Sequence, residues 1–238
     1  MDFFVGDNMK TLGIIGGMGP LATIDLYEKI TINTRAEKDQ DHIHIIIDSY
    51  PQIEDRTAYI LHGGKNPKDK LIESAKRLES AGADALIMPC NTAHFFAKNI
   101  EKEVNIPLIH IVKSTAEAIK NKYPKANNIG LIATTGTLKS GVYADILKDY
   151  GYNIIELNEI IENNIMDCIY KGVKAGKTEE YVPLFQKCVD EITDMGADVL
   201  IAGCTEIPIL VPYVKAKVPF VDATLELALA AIKFAQEK

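Results

Sequence analysis

The 238-residue chain has no apolar run near the ~20 residues a membrane helix needs, so no spanning segment is expected. It also lacks any block of Lys and Arg. With a formal net charge of −7, it offers no phosphate-neutralising stripe of the kind nucleic-acid binding uses, and an anionic substrate has to be held by a few local cations. Cysteine is scarce: the four residues have no close pair spacing, which argues against a zinc or disulfide framework. The opening stretch, Met1-Asp2-Phe3-Phe4-Val5-Gly6-Asp7-Asn8, is too short and too acidic for a secretory signal. A reducing, cytoplasmic setting with free thiols is therefore expected, with Met9-Lys10 as the effective start of the fold. The composition, 47% apolar and 25% charged, is ordinary for a soluble enzyme of one large or two small domains.

What is present is a repeat. Gly82-Ala83-Asp84-Ala85-Leu86-Ile87-Met88-Pro89-Cys90-Asn91-Thr92 reads against Gly196-Ala197-Asp198-Val199-Leu200-Ile201-Ala202-Gly203-Cys204-Thr205-Glu206, with the cysteine eight positions after the glycine both times. Gly13-Ile14-Ile15 matches Gly130-Leu131-Ile132, and Ile106-Pro107-Leu108-Ile109 matches Val218-Pro219-Phe220-Val221, at nearly the same offset. Apolar β-rich runs alternate with amphipathic stretches, the pattern of parallel strands crossed by helices. Strands are predicted at 11–16, 42–48, 85–89, 108–111, 129–133, 153–157, 199–202 and 220–222. Leu71, Ile72, Ala75 and Leu78 predict a helix over 68–80 that packs on a sheet face.

The expected fold is therefore α/β: two similar parallel-sheet half-domains, residues 1–112 with Cys90 and 113–222 with Cys204, and a C-terminal helix at 223–238 packing back on the first. Open parallel sheets bind ligands at the carboxyl ends of their strands. Both cysteines occupy such ends, and the cleft between the halves is the expected site. Two equivalent thiols facing one cleft are what a two-base proton transfer needs.

A buried cysteine is commonly a core residue, and this is the reading for Cys188, in a stripe with Leu184 and Ile192, and for Cys168, beside Ile165 and Ile169. The duplicated setting of Cys90 and Cys204 points instead to function. The start of a following helix would favour the thiolate, and Asn91, Thr92, Thr205 and Glu206 are placed as capping-type residues. Gly16-Gly17-Met18-Gly19-Pro20 ends the first strand where backbone N–H groups can hold an anion. Its spacing is not the dinucleotide fingerprint, which disfavours a nicotinamide enzyme. Its counterpart, Thr134-Thr135-Gly136-Thr137, is richer in hydroxyls. His42 and His44 alternate on a strand without further metal ligands. His94 either supports the cysteine turn or caps it. Arg56 and Lys174, in loop-like punctuation, are ordinary surface cations by composition alone.

Taken together, Gly16-Gly17-Met18-Gly19-Pro20-Leu21-Ala22-Thr23, Pro51-Gln52-Ile53-Glu54-Asp55-Arg56-Thr57, Met88-Pro89-Cys90-Asn91-Thr92-Ala93-His94, Ala133-Thr134-Thr135-Gly136-Thr137 and Ala202-Gly203-Cys204-Thr205-Glu206-Ile207 resemble the cofactor-independent aspartate/glutamate racemase family, most closely its aspartate racemases. The resemblance runs through essentially the whole chain from Met9. It implies two α/β domains about a pseudo-twofold axis, a homodimer, no cofactor or metal, and an amino-acid substrate. Cys90 and Cys204 are then the catalytic acid and base. Arg56 and Lys174 bind substrate carboxylates, and Met18, Gln52, Asn91, Thr92, Thr134, Thr135, Thr137, Thr205 and Glu206 complete the substrate site. Asp48, just before the Pro51 motif, would oppose a dicarboxylate if it pointed into the pocket. Glutamate, hydantoin or broad-specificity racemases, a cis-trans isomerase of an unsaturated diacid and a non-catalytic amino-acid-binding protein are the competing readings.

Overall fold

Short strands bounded by turns build two sheets in the computed structural model, which describes residues 9–237; the expectation that the opening stretch, 1–8, is not a secretory signal falls outside the described residues. In the first half β1 (Leu12–Gly16), β2 (Ile45–Ser49) and β3 (Ala85–Ile87) pair in the order β2-β1-β3. In the second, β4 (Asn128–Ile132), β5 (Asn153–Ile154), β6 (Val199–Ala202) and β7 (Phe220–Asp222) pair in the order β5-β4-β6-β7. Every pairing is parallel, so each connection has to cross a sheet face, and helices make the crossings. The helices are α1 (Pro20–Asn33), α2 (Arg56–His62), α3 (Lys68–Ser80) and α4 (Ala97–Glu101) in the first half, α5 (Ile111–Lys122) between the two sheets, α6 (Thr135–Lys139), α7 (Val142–Asp149), α8 (Glu159–Asp167), α9 (Thr178–Asp194) and α10 (Ile207–Leu210) in the second, and α11 (Ala223–Gln236) after the last strand.

Side-chain alternation along the strands sorts the core into layers. Leu12 and Ile14 of β1, Ile129 and Leu131 of β4, and Val199 and Ile201 of β6 share one apolar cluster with α1, α5, α7 and α11. The opposite faces look outward. Ile15 and Leu86 pack with Leu71, Ala75 and Leu78 of α3, and Ile132, Leu200 and Ala202 pack with α8 and α9. The result is α/β/α/β/α, with the middle helical layer serving both sheets; α11 packs against α1 and α5. Among the described residues, no helix is long and apolar enough to cross a membrane.

The repeated Gly-Ala-Asp signal has a structural cause. Gly82 and Gly196 each adopt φ +96°, a left-handed turn that a side chain would strain, and the alanine that follows is buried in both copies. The aspartate then receives the backbone start of the neighbouring strand. Asp84 accepts from the Thr11 N–H at 2.7 Å, and Asp198 accepts from the Asn127 and Asn128 N–H groups at 2.9 Å each. The motif thus sets the register that delivers each cysteine to its strand end.

Several predicted strands are shorter or differently placed. The 108–111 run pairs only at Leu108, because the His110 side chain accepts the Val112 N–H at 3.2 Å and starts α5. The 153–157 run ends at Ile154, and the 42–48 run starts at Ile45, after a 3-10 turn at Asp39–Asp41. Cys168 and Cys188 are fully buried, as expected, and burial pushes their thiols up to about 12 and about 11.

Candidate active site at the strand ends

A cavity of about 130 Å³ lies where the carboxyl ends of β3, β4 and β6 meet the loop after β1, and both Cys90 and Cys204 line it. Of the other predicted residues, Met18, Arg56, Asn91, Thr92, Thr134, Thr137, Lys174, Thr205 and Glu206 also line it. Gln52 and Thr135 do not. Gln52 is exposed, with its carbonyl taken by Lys70 at 2.7 Å, and the Thr135 N–H points to Met166 Sδ at 3.3 Å. Asp48 is outside as well, paired with Arg77 on α3 at 2.9 Å. The expected conflict with a second carboxylate therefore does not arise from it. Asp55, Thr57, Tyr170 and Gly203 join the lining although the sequence reading passed over them. Asp55 and Thr57 flank Arg56 in its motif, and Tyr170 lies one helical turn before Lys174.

The Cys90 side is buried and uncharged. Asn91 Oδ1 accepts from the Tyr143 hydroxyl at 2.7 Å, and the Thr92 hydroxyl meets that of Thr137 at 2.7 Å. Both contacts join residues of the first half to residues of the second. Thr134 caps α6 by accepting the Thr137 N–H. His94 works from behind: Nε2 accepts the Ile111 N–H at 3.2 Å, which leaves Nδ1 as the proton-bearing nitrogen that donates to the Cys90 carbonyl at 2.9 Å. Burial lowers its pKa to about 4, so the ring is neutral near pH 7. The neighbouring His110 ring, 4.5 Å away, is lowered to about 2, by burial first and then by His94 and Lys113.

The cations come from two short elements. Arg56 is the first residue of α2, just after Asp55, whose carboxylate caps the helix by accepting the Ala58 N–H at 2.6 Å. Its Nη1 donates to the Glu54 and Ile53 carbonyls at 2.9 and 3.4 Å. Its Nε is buried without a hydrogen-bond partner among the described residues, an energetic debt that a ligand oxygen would relieve. α2 is seated by Gly136, where an added Cβ would lie 2.3 Å from Thr57 Oγ1. Lys174 follows a π-helical turn, Cys168–Val173, of the kind that recurs at functional sites. Its ammonium lies 5.4 Å from the Tyr170 ring centroid and 2.9 Å from Glu206 Oε1. Burial works against that charge, but Glu206 outweighs it and raises the lysine pKa.

Cys204 differs from the sequence expectation. The helix after it, α10, has four residues and begins three positions on, and the thiol instead donates to Glu206 Oε2 at 2.9 Å. Burial, followed by the Glu206 charge, raises its pKa well above the ordinary value. For Glu206, burial alone would favour the neutral acid. The Cys204 thiol, the Lys174 ammonium and the Thr205 hydroxyl, at 3.1 Å, together reverse this and hold it below the usual carboxylate range.

Two thiols and two cations around one small cavity suit proton transfer at a carbon next to a carboxylate. Comparison with known proteins agrees. A family model described as Asp/Glu/Hydantoin racemase matches residues 15–231. An aspartate racemase from Picrophilus torridus superposes with a TM-score of 0.82 at 32% identity, covering 96% of this chain and 95% of that one. An aspartate racemase homologue from Pyrococcus horikoshii OT3 gives 0.78 at 26% identity, with 96% and 100% covered. A broad specificity amino-acid racemase of Bacillus subtilis (strain 168) is 28% identical over 227 residues, 93% of this chain and 96% of that one. With the family match running from β1 into α11, the chain belongs to the Asp/Glu/hydantoin racemase family and is one of its cofactor-independent amino-acid racemases.

Proposed function

We propose that this racemase interconverts L- and D-aspartate with Cys90 and Cys204 as the two proton-transfer groups. The observation that carries the reading is that both thiols line the same cavity as Arg56 and Lys174. One cysteine, as thiolate, takes the Cα proton, and the C–H electron pair is left on Cα and spreads into the α-carboxylate. The other cysteine returns a proton from its S–H to the opposite face. Arg56, with its unpartnered Nε, binds a carboxylate and stabilises the charge that builds there, and Lys174 binds the second. The Thr92, Thr134 and Thr137 hydroxyls orient the substrate, and exclusion of water on closure strengthens these contacts. The halves, residues 1–112 and 113–222, supply one thiol each, and the working form is a homodimer.

A second reading, a broad-specificity amino-acid racemase, is favoured by the Lys174–Glu206 pair. That pair leaves Arg56 as the cavity cation without a carboxylate partner among the described residues. Incubation with L-aspartate in D2O without added cofactor, followed by NMR at Cα and chiral chromatography, tests both. Deuteration together with D-aspartate is the expected result. Deuteration of other amino acids but not aspartate selects the second reading, and aspartate bound without exchange overturns both.

A further inference from the structure

We propose that Glu206 holds Cys204 as the thiol in the resting enzyme, so that Cys204 is the proton donor and Cys90 the base in the first proton transfer. This rests on the two-cysteine reading and adds an order to it. An ionised carboxylate only accepts hydrogen bonds, so the 2.9 Å contact between Cys204 Sγ and Glu206 Oε2 requires the sulfur to carry the proton. A thiolate there would set two negative charges side by side in a poorly solvated wall, where repulsion is weakly screened. The cation offsets this only in part, because Lys174 sits on Oε1, the carboxylate oxygen that the thiol does not contact, and burial and Glu206 outweigh it. Lys174 thereby stabilises the carboxylate more than it would a Cys204 thiolate. The other groups facing this thiol are the neutral phenols of Tyr143 and Tyr170, with Asp55 and Arg56 across the cavity.

The equivalent turn lacks the device. Two residues after Cys90 stands Thr92, not a carboxylate, and its hydroxyl is taken by Thr137. In the first half-reaction the Cys90 thiolate forms an S–H bond with the Cα proton. Cys204 then gives up its proton, and the S–H electron pair stays on its sulfur. Turnover leaves a Cys90 thiol and a Cys204 thiolate, and one proton lost to water from Cys90 and one gained from water by Cys204 restore the start. Glu206 also lines a second cavity of about 390 Å³ with Asp25, Lys29 and Asp222, which gives its carboxylate a second approach for that water.

Alkylation of the full-length protein by iodoacetamide without substrate, with each cysteine read by peptide mass spectrometry across pH, tests the assignment. Near pH 7 Cys90 is expected to react about tenfold faster than Cys204 or more, because alkylation goes through the thiolate and Glu206 disfavours the thiolate at Cys204. Exposure alone predicts the reverse, since Cys90 is buried and Cys204 is not. Glu206→Gln is expected to speed Cys204 about tenfold and leave Cys90 unchanged. Cys204 reacting as fast as Cys90 in the unmodified chain overturns the proposal. So does a folded Glu206→Gln variant, with its Cys90 rate intact, in which Cys204 is no faster. If that variant does not fold, the order in the unmodified chain decides alone. Failure of the two-cysteine reading would show separately, as racemisation surviving in a single-cysteine variant.

Discussion

After β3 the chain runs Cys90-Asn91-Thr92-Ala93-His94, and after β6 it runs Cys204-Thr205-Glu206-Ile207-Pro208. Both turns hang from the same Gly-Ala-Asp support, and both put a thiol on the same cavity. The first is anchored by neutral groups, with Tyr143 on Asn91, Thr137 on Thr92 and an uncharged His94 on the cysteine carbonyl. The second is anchored by an ion pair between Glu206 and Lys174. Burial accounts for the difference. Asn91 and His94 are 4% and 2% exposed, and a charge on either of those two side chains would lose its hydration with no ionic partner beside it among the described residues. Glu206 borders a second cavity and keeps partial access to water, so a charge is tolerated. Duplication supplied equal scaffolds, and local solvation separated their chemistry.

The comparison breaks most sharply if one thiol proves dispensable. Cys90→Ala and Cys204→Ala are each expected to lower racemisation by about 10³-fold or more, with the circular dichroism of the folded protein retained. More than a tenth of the activity in either variant would end the equivalence of the two turns. Next in size is Gly136→Ala. The new Cβ at 2.3 Å from Thr57 Oγ1 pushes α2 and its Arg56 away from the second half. About a tenfold loss of kcat/KM is expected, on the order of 1.4 kcal/mol, and Thr57→Ala in the same chain should recover part of it.

An effect on stability, not on rate, sharpens the neutral side. His94 has a folded pKa of about 4, below the ordinary ~6.5 of the unfolded chain. The unfolded state therefore takes up more protons as pH falls, and stability is lost on acidification through the window from about 6.5 down to about 4. Urea unfolding at pH 7 and pH 5 should show roughly 2 kcal/mol of loss from this residue, and His94→Gln should flatten that part of the slope. An equal drop in the variant would show that His94 titrates freely. Least is Tyr143→Phe, which removes the hydrogen bond to Asn91 at about 1 kcal/mol, read from the denaturation midpoint.

Much of the scaffold was legible because periodicity is local. The helix at 68–80 and the strands at 199–202 and 220–222 match the structure residue for residue. The run at 108–111 misled because a short apolar stretch reads equally as a strand or a helix start, and a side-chain cap at His110 decided between them. Thr135 stands beside Thr134, which does line the cavity, and Gln52 lies three residues before Asp55, which also does. Adjacent positions in a turn or helix point in different directions, so nearness in sequence did not carry them in.

The amino-acid sequence by itself determined that two cysteines occupy equivalent strand ends, because each is delivered by a left-handed glycine and a strand-capping aspartate that leave a local signature. Only the tertiary structure decided which side chains meet there: that Lys174 reaches Glu206, that Thr137 reaches Thr92, and that Asp48 turns away to Arg77. Such pairings depend on distances between segments far apart in the chain. Coulomb and hydrogen-bond energies fall steeply with distance, so the charge state of each thiol is set by the folded geometry.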